Sequence, residues 1–250
     1  MVPRALPWAL DLLGFQPAQG RRQGFFRTIS IYLIFLDFEH PLKHSMTNRY
    51  LILTAQVISV VFSPFYLPVV AFVVLLFFSY MSYTSWQYNA QVIGMVGLFT
   101  VILPKLAIYA YRKINGWTRH QLSRRERRIV PYILSISSYT TLLYMMDHMR
   151  MPRFTLGIVA GALAIQIVCA LINPWLKVST HAAASGGVIG AVMAFSLILN
   201  FDPTNALCLA VLLSGLVCTA RMILRQHKLT DLGLGVLIGM ACALFFILNI

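Results

Sequence analysis

Acidic residues are scarce in this chain, seven in 250, and charged side chains of either sign make up only 11% of it. An ordinary soluble sequence is about one quarter charged, so a water-soluble globular domain is excluded. The four cysteines, Cys169, Cys208, Cys218 and Cys242, all fall inside apolar runs, and none has C-x-x-C spacing. That excludes a disulfide framework or a dithiol redox motif and leaves them as small core residues. The six histidines form neither H-E-x-x-H nor a His–Cys cluster, so neither a metal centre nor a cofactor is expected.

What the chain has is hydrophobicity: 59% of its residues are apolar, and its mean hydropathy is +0.76. This composition specifies an all-α, polytopic transmembrane helical bundle, here of six or seven spans. The net charge of +13 would suggest nucleic acid in a soluble protein. Here the basic residues flank apolar segments, where they meet the anionic headgroups of a bilayer and bias orientation. No surface interleaves aromatic with basic residues, and no nucleic-acid partner is expected.

Residues 1–49 form a mixed N-terminal segment with Pro3, Pro7 and Pro17, a basic group at Arg21, Arg22 and Arg27, and a short apolar run at Ile29–Leu36. That run is too short to span and lacks the form of a signal peptide; a cytoplasmic or interfacial helix is expected. Residues 50–111 contain N-terminal membrane helices. The stretch from Tyr50 to Met81 is broken at Ser63–Pro68 and falls short of the roughly 40 residues that two full crossings need. It makes either two short tilted helices or a re-entrant hairpin plus a span. A clearer span follows at about 88–111, with Pro104 and Lys105 near its end.

Residues 112–250 read as one helical core. A basic loop at 112–128 precedes five apolar segments, at 129–148, 154–173, 181–199, 204–220 and 231–249. Counting crossings puts the loop 112–128, the connector 173–180 and the connector 221–230 on one membrane face. Connectors 149–153 and 200–203 fall on the other. The shared face collects Lys177, Ser179, His181, Arg221, His227 and Asp231, groups costly to carry at a membrane without a use.

Their chemistry is suggestive. His227 and Asp231 are four apart, so on a helix they share a face, and a carboxylate on one imidazole nitrogen leaves the other more nucleophilic. Arg221 is off that helical face, so its connector must bend back to bring it near. Its fork suits phosphate oxygens. Ser179, Thr180 and His181 open a helix rich in small residues, whose N-terminus favours an anion, with Lys177 beside it. Each has a plainer reading: a histidine bonded to a carbonyl at a helix end, an interfacial ion pair, or cations anchored to headgroups. Gly186, Gly187 and Gly190 read as helix-packing contacts rather than a phosphate loop.

The two clusters resemble the motifs of the type 2 phosphatidic acid phosphatase superfamily. The family's S-R-x5-H-x3-D motif appears as Ala220-Arg221, five residues, His227, three residues and Asp231, with only the leading serine lost. Its P-S-G-H motif appears as Val178-Ser179-Thr180-His181, keeping serine and histidine. The first motif, K-x6-R-P, has Arg127-Arg128-Ile-Val-Pro131 as its nearest counterpart, without the lysine, whose charge Lys177 can supply. The resemblance covers roughly residues 112–250.

It implies a phosphoric-ester or diphosphate hydrolase acting on a lipid phosphate through a phosphohistidine. In that scheme His227 is the nucleophile, Asp231 its orienting partner and His181 the acid and then base. Arg221, Lys177, Ser179 and Arg128 hold the phosphate. The rivals are a non-catalytic transporter or binding protein for an anionic lipid, and an inactive family member. The expected place is a bacterial inner membrane with the site facing outward.

Overall fold

The computed structural model describes residues 46–78, 84–116 and 129–250. Arg127, Arg128, His120 and the segment before residue 46 lie outside the described residues. The chain divides into units Met1–Asn48 and Arg49–Ile250, and the architecture below is that of the second.

All described secondary structure is helical, and six helices are long and apolar enough to cross a bilayer. This is a multi-pass membrane protein built as a helical bundle. Two shorter helices come first: α1, Met46–Val61, and α2, Leu67–Phe78. With 16 and 12 residues, they extend roughly 24 and 18 Å, short of a ~30 Å hydrocarbon core. Of the two expectations for residues 50–81, a pair of short helices is what forms. Pro64 and Pro68 account for the break. A proline withdraws an N–H and crowds the preceding turn, yet is tolerated in a helix's first turn, where Pro68 sits.

Helix α3, Trp86–Ile114, begins at an N-cap, Ser85, whose hydroxyl accepts the Tyr88 N–H. Midway it loosens into a π-helical turn, Leu98–Ile102. Pro104 has no N–H for the carbonyl four residues back, and the Leu103 N–H reaches instead to the Leu98 carbonyl. The Phe99 carbonyl is taken by the Ser138 hydroxyl at 2.5 Å, so the irregular backbone is satisfied within the protein, as a membrane requires.

The remaining spans are α4 (Ile129–His148), α5 (Arg153–Ile172), α6 (Thr180–Leu199), α7 (Thr204–Ile223) and α8 (Leu229–Asn249). The expected segments are reproduced within a few residues, with one shift that matters. Helix α7 continues to Ile223, so Arg221 stands in its last helical turn and not in a connector.

Helices α6 and α8 pack most extensively, with α5 against α8. Glycines explain the closeness. Gly157 and Gly161 on α5, Gly186 and Gly190 on α6, and Gly235 and Gly239 on α8 are each four apart and line the contacts. A Cβ on Gly239 would lie 1.7 Å from the Ala183 carbonyl oxygen, and one on Gly186 2.2 Å from that of Val236. Helices in lipid gain little from burying apolar surface against each other, and associate where small residues let backbones meet. The glycines expected to pack helices do so.

A second layer is conventional: Phe72 and Leu76 of α2, Val96 of α3, Tyr139, Leu142 and Met146 of α4, and Val159 of α5 form a closed core. Outward-facing residues such as Leu212 and Phe245 are exposed and apolar, the surface a bilayer covers. Of the cysteines expected in the core only Cys169 is buried; Cys208 is exposed on α7. Its position in an apolar run did not distinguish core from lipid, since both faces of such a helix are apolar.

Candidate functional site

The α5–α6 connector and the α7–α8 connector meet at one end of the bundle. The Ser179 N–H approaches the Asp231 carbonyl oxygen at 3.5 Å, tying the start of α6 to the first turn of α8. Ser179 is fully buried and is the N-cap of α6, its Oγ accepting the Ala182 N–H at 3.4 Å. His181 is the second residue of that helix, and Lys177 lies half-buried in the connector before it.

The other connector turns sharply. The Gln226 N–H bonds the Arg221 carbonyl at 3.2 Å and the Arg225 N–H bonds that of Met222 at 2.8 Å. Arg225 takes the left-handed conformation, φ 51°. These paired bonds and the left-handed residue make a Schellman motif, which closes α7 and reverses the chain. The reversal carries His227 back toward Arg221 without a glycine to ease it.

His227 itself precedes α8, whose N-cap is Lys228. The sequence expectation had His227 and Asp231 share a helical face. They pair instead because Asp231, in the first turn of α8, points back past its helix start. Its Oδ2 accepts the Lys228 N–H at 3.2 Å and lies 3.8 Å from Nδ1 of His227. The His227 side chain is only 4% exposed and that of Asp231 24%.

His181 completes the group. The Arg221 guanidinium, the His227 ring and the backbone of Ser59 are its polar neighbours. Its Nδ1 is buried without a hydrogen-bond partner among the described residues. Arg221 Nη1 donates to the Ser59 hydroxyl at 2.8 Å. Ser59 belongs to α1, far outside the stretch that carries the motifs, and sequence reasoning missed it. Its one signal was a hydroxyl within an apolar run.

The structure therefore brings together His181, Arg221, His227, Asp231 and Ser179, with Lys177 at the same end. Arg128 lies outside the described residues. Residues at the other end of these helices stay apart from the group: His148, the last residue of α4, stacks on Tyr144. Asp202, in the α6–α7 connector, has its carboxyl held below the usual range by the hydroxyl and N–H of Thr204.

No protein-family model matches the chain, and neither the curated proteins nor the solved structures compared with it yield a match.

Proposed function

We propose that the protein is a membrane lipid phosphatase, a hydrolase that removes phosphate from a lipid monoester or diphosphate through a phosphohistidine intermediate. One observation carries this reading: His181, Arg221, His227 and Asp231, drawn from three helix ends, converge at one end of the bundle. The family resemblance supplies the roles.

Asp231 faces Nδ1 of His227, which leaves Nε2 as the nucleophile. Nε2 forms a bond to phosphorus as the bond from phosphorus to the lipid oxygen breaks, and His181, protonated when the anionic phosphate is beside it, gives its proton to that oxygen. His181, now neutral, takes a proton from water. The water oxygen bonds to phosphorus, the phosphorus–nitrogen bond breaks, and inorganic phosphate leaves. Arg221, with Lys177 and Arg128, balances the charge that builds on the phosphoryl oxygens. Ser179 sets the helix start whose N–H groups face the same anion.

The place proposed is a bacterial inner membrane with the cluster facing outward. The basic residues at that end serve the site, so their number does not report a cytoplasmic face in the way loop cations normally do.

A second reading has its own observation. Lys105 bonds the Tyr66 hydroxyl and stands 3.9 Å over the Tyr66 ring, just past the π-helical turn of α3. Interrupted helices with a charge inside the bilayer are features of transport sites, so an anionic-lipid carrier without turnover is the rival. A phosphate-release screen of the purified protein over phosphatidate, phosphatidylglycerophosphate, a polyprenyl diphosphate and a lipid A phosphate separates them. Release from at least one, lost in His227→Ala, is the expected result. Binding of these lipids with no release from any would establish the rival.

A further inference from the structure

The two clusters that suggest the chemistry, 177–181 and 221–231, lie late in the chain, yet Arg221 is held by a residue near the start of the described chain. Ser59 is 7% exposed. Its hydroxyl accepts from Arg221 Nη1 at 2.8 Å, and its backbone neighbours the ring of His181. Helix α1, which carries it, packs extensively against no other described helix, and most of its described side chains are exposed. Ser59 and Ala55 are the buried ones among its described side chains. The helix is thus fastened to the bundle chiefly where it meets the polar cluster.

We infer that Ser59 is a positioning residue of this site, orienting the Arg221 fork with its hydroxyl. An arginine that grips phosphate needs its planar fork fixed, because a freely turning guanidinium loses bidentate geometry. A hydroxyl accepting one N–H of the fork fixes the plane in which the guanidinium lies. The inference rests on the phosphatase reading for its kinetic consequence but not for its geometry.

The test compares Ser59→Ala, which removes only the hydroxyl, with Ser59→Thr, which keeps it. In nitrogen-15 spectra of arginine-labelled protein in micelles, the Arg221 guanidinium resonance should move in Ser59→Ala and stay in Ser59→Thr. For phosphate release from a lipid phosphate, Ser59→Ala should raise KM about tenfold, the usual scale for losing a hydrogen bond to a charged group. The fall in kcat should be much smaller, and Ser59→Thr should restore KM. In an Arg221→Lys background, Ser59→Ala should add little, since the pair acts as a unit. An Arg221 resonance unchanged in Ser59→Ala overturns the inference whatever the activity. A moved resonance with unchanged KM overturns the positioning role. A wild-type protein that releases no phosphate overturns the hydrolase reading alone, and the resonance comparison still decides whether Ser59 orients Arg221.

Discussion

The Nδ1 of His227 lies 3.8 Å from Oδ2 of Asp231, an oxygen that also accepts the Lys228 N–H at 3.2 Å. One carboxylate therefore both starts helix α8 and faces the histidine proposed as nucleophile. The two roles separate by substitution. His227→Ala should abolish phosphate release because the covalent route is gone. Asp231→Asn keeps a carbonyl oxygen for the Lys228 N–H, so it should retain the fold and a residual rate, of the order of 10⁻⁴ of normal by analogy with other histidine-orienting carboxylates. Single-turnover assays with alkali-quenched phosphohistidine detection check both. Normal phosphate release from His227→Ala would sink the mechanism.

In the proposed mechanism Arg221 grips phosphate by its fork as well as its charge. Arg221→Lys preserves the charge but loses the bidentate geometry and the planar contact with Ser59, so it should behave nearer to Arg221→Ala than to the wild type. A rise in KM for both, of ten- to a hundredfold, is expected in phosphate-release kinetics. Full activity in Arg221→Lys would show that charge alone suffices.

Charge compensation in the proposed mechanism comes from Arg221, Lys177 and Arg128 rather than from a divalent ion. Phosphate release should persist in excess EDTA. Complete loss with chelator, restored by one divalent cation, would point to a metal-dependent reaction instead.

The packing makes a prediction independent of activity. A side chain on Gly239 meets the backbone of Ala183, and backbone cannot step aside. Gly239→Val should therefore prevent assembly of α6 against α8, read as loss of monodisperse protein in detergent. Gly94 and Gly215 have nothing within 4 Å of an added Cβ. Gly94→Ala and Gly215→Ala should be tolerated and even stabilising, by about 0.5–1 kcal/mol each from helix propensity.

Arg225 holds a left-handed conformation that costs an L-residue about 1–2 kcal/mol and a glycine almost nothing. Arg225→Gly should raise the thermal midpoint and Arg225→Val should lower it, measured by unfolding in the same detergent. Equal midpoints for all three would mean that the Schellman turn does not form.

Much of this was legible in the chain. Apolar segments bounded by charged connectors mark the spans, because a bilayer leaves helices almost no alternative, and parity then assigns His181, Arg221, His227 and Asp231 to one end. His227 and Asp231 do approach each other, to 3.8 Å, but by a different route from the one expected. Four-residue spacing suggests one helical face, whereas a helix start between them and an acid in its first turn achieve the same approach. Arg221 read as a connector residue because a charge usually ends an apolar run; the Schellman turn four residues later is what ends the helix. Ser59 was not legible. Its contact with Arg221 joins residues 162 apart in the sequence, and no local pattern reports a tertiary bond of that kind. Neither did composition show that α1 would be fastened mainly at the polar end.

Which way the polar end faces is open to direct test. The α5–α6 connector with Lys177 and the α7–α8 connector with Arg225 lie at that end, and the connectors with Arg150 and Asp202 at the other. Arg225, Arg150 and Asp202 are all exposed, so cysteines placed there can meet a water-soluble reagent. With Cys208 and the other native thiols replaced, an outward-facing site predicts that Arg225→Cys reacts with a membrane-impermeant maleimide in spheroplasts. Arg150→Cys and Asp202→Cys should react only after the membrane is opened. The reverse pattern would place the site in the cytoplasm, with its cations obeying the positive-inside rule after all. Labelling of Arg225→Cys and Asp202→Cys from the same side would be more damaging. Helix α8 follows one connector and α7 the other, so that result would remove a crossing from between them and break the convergence on which the site depends.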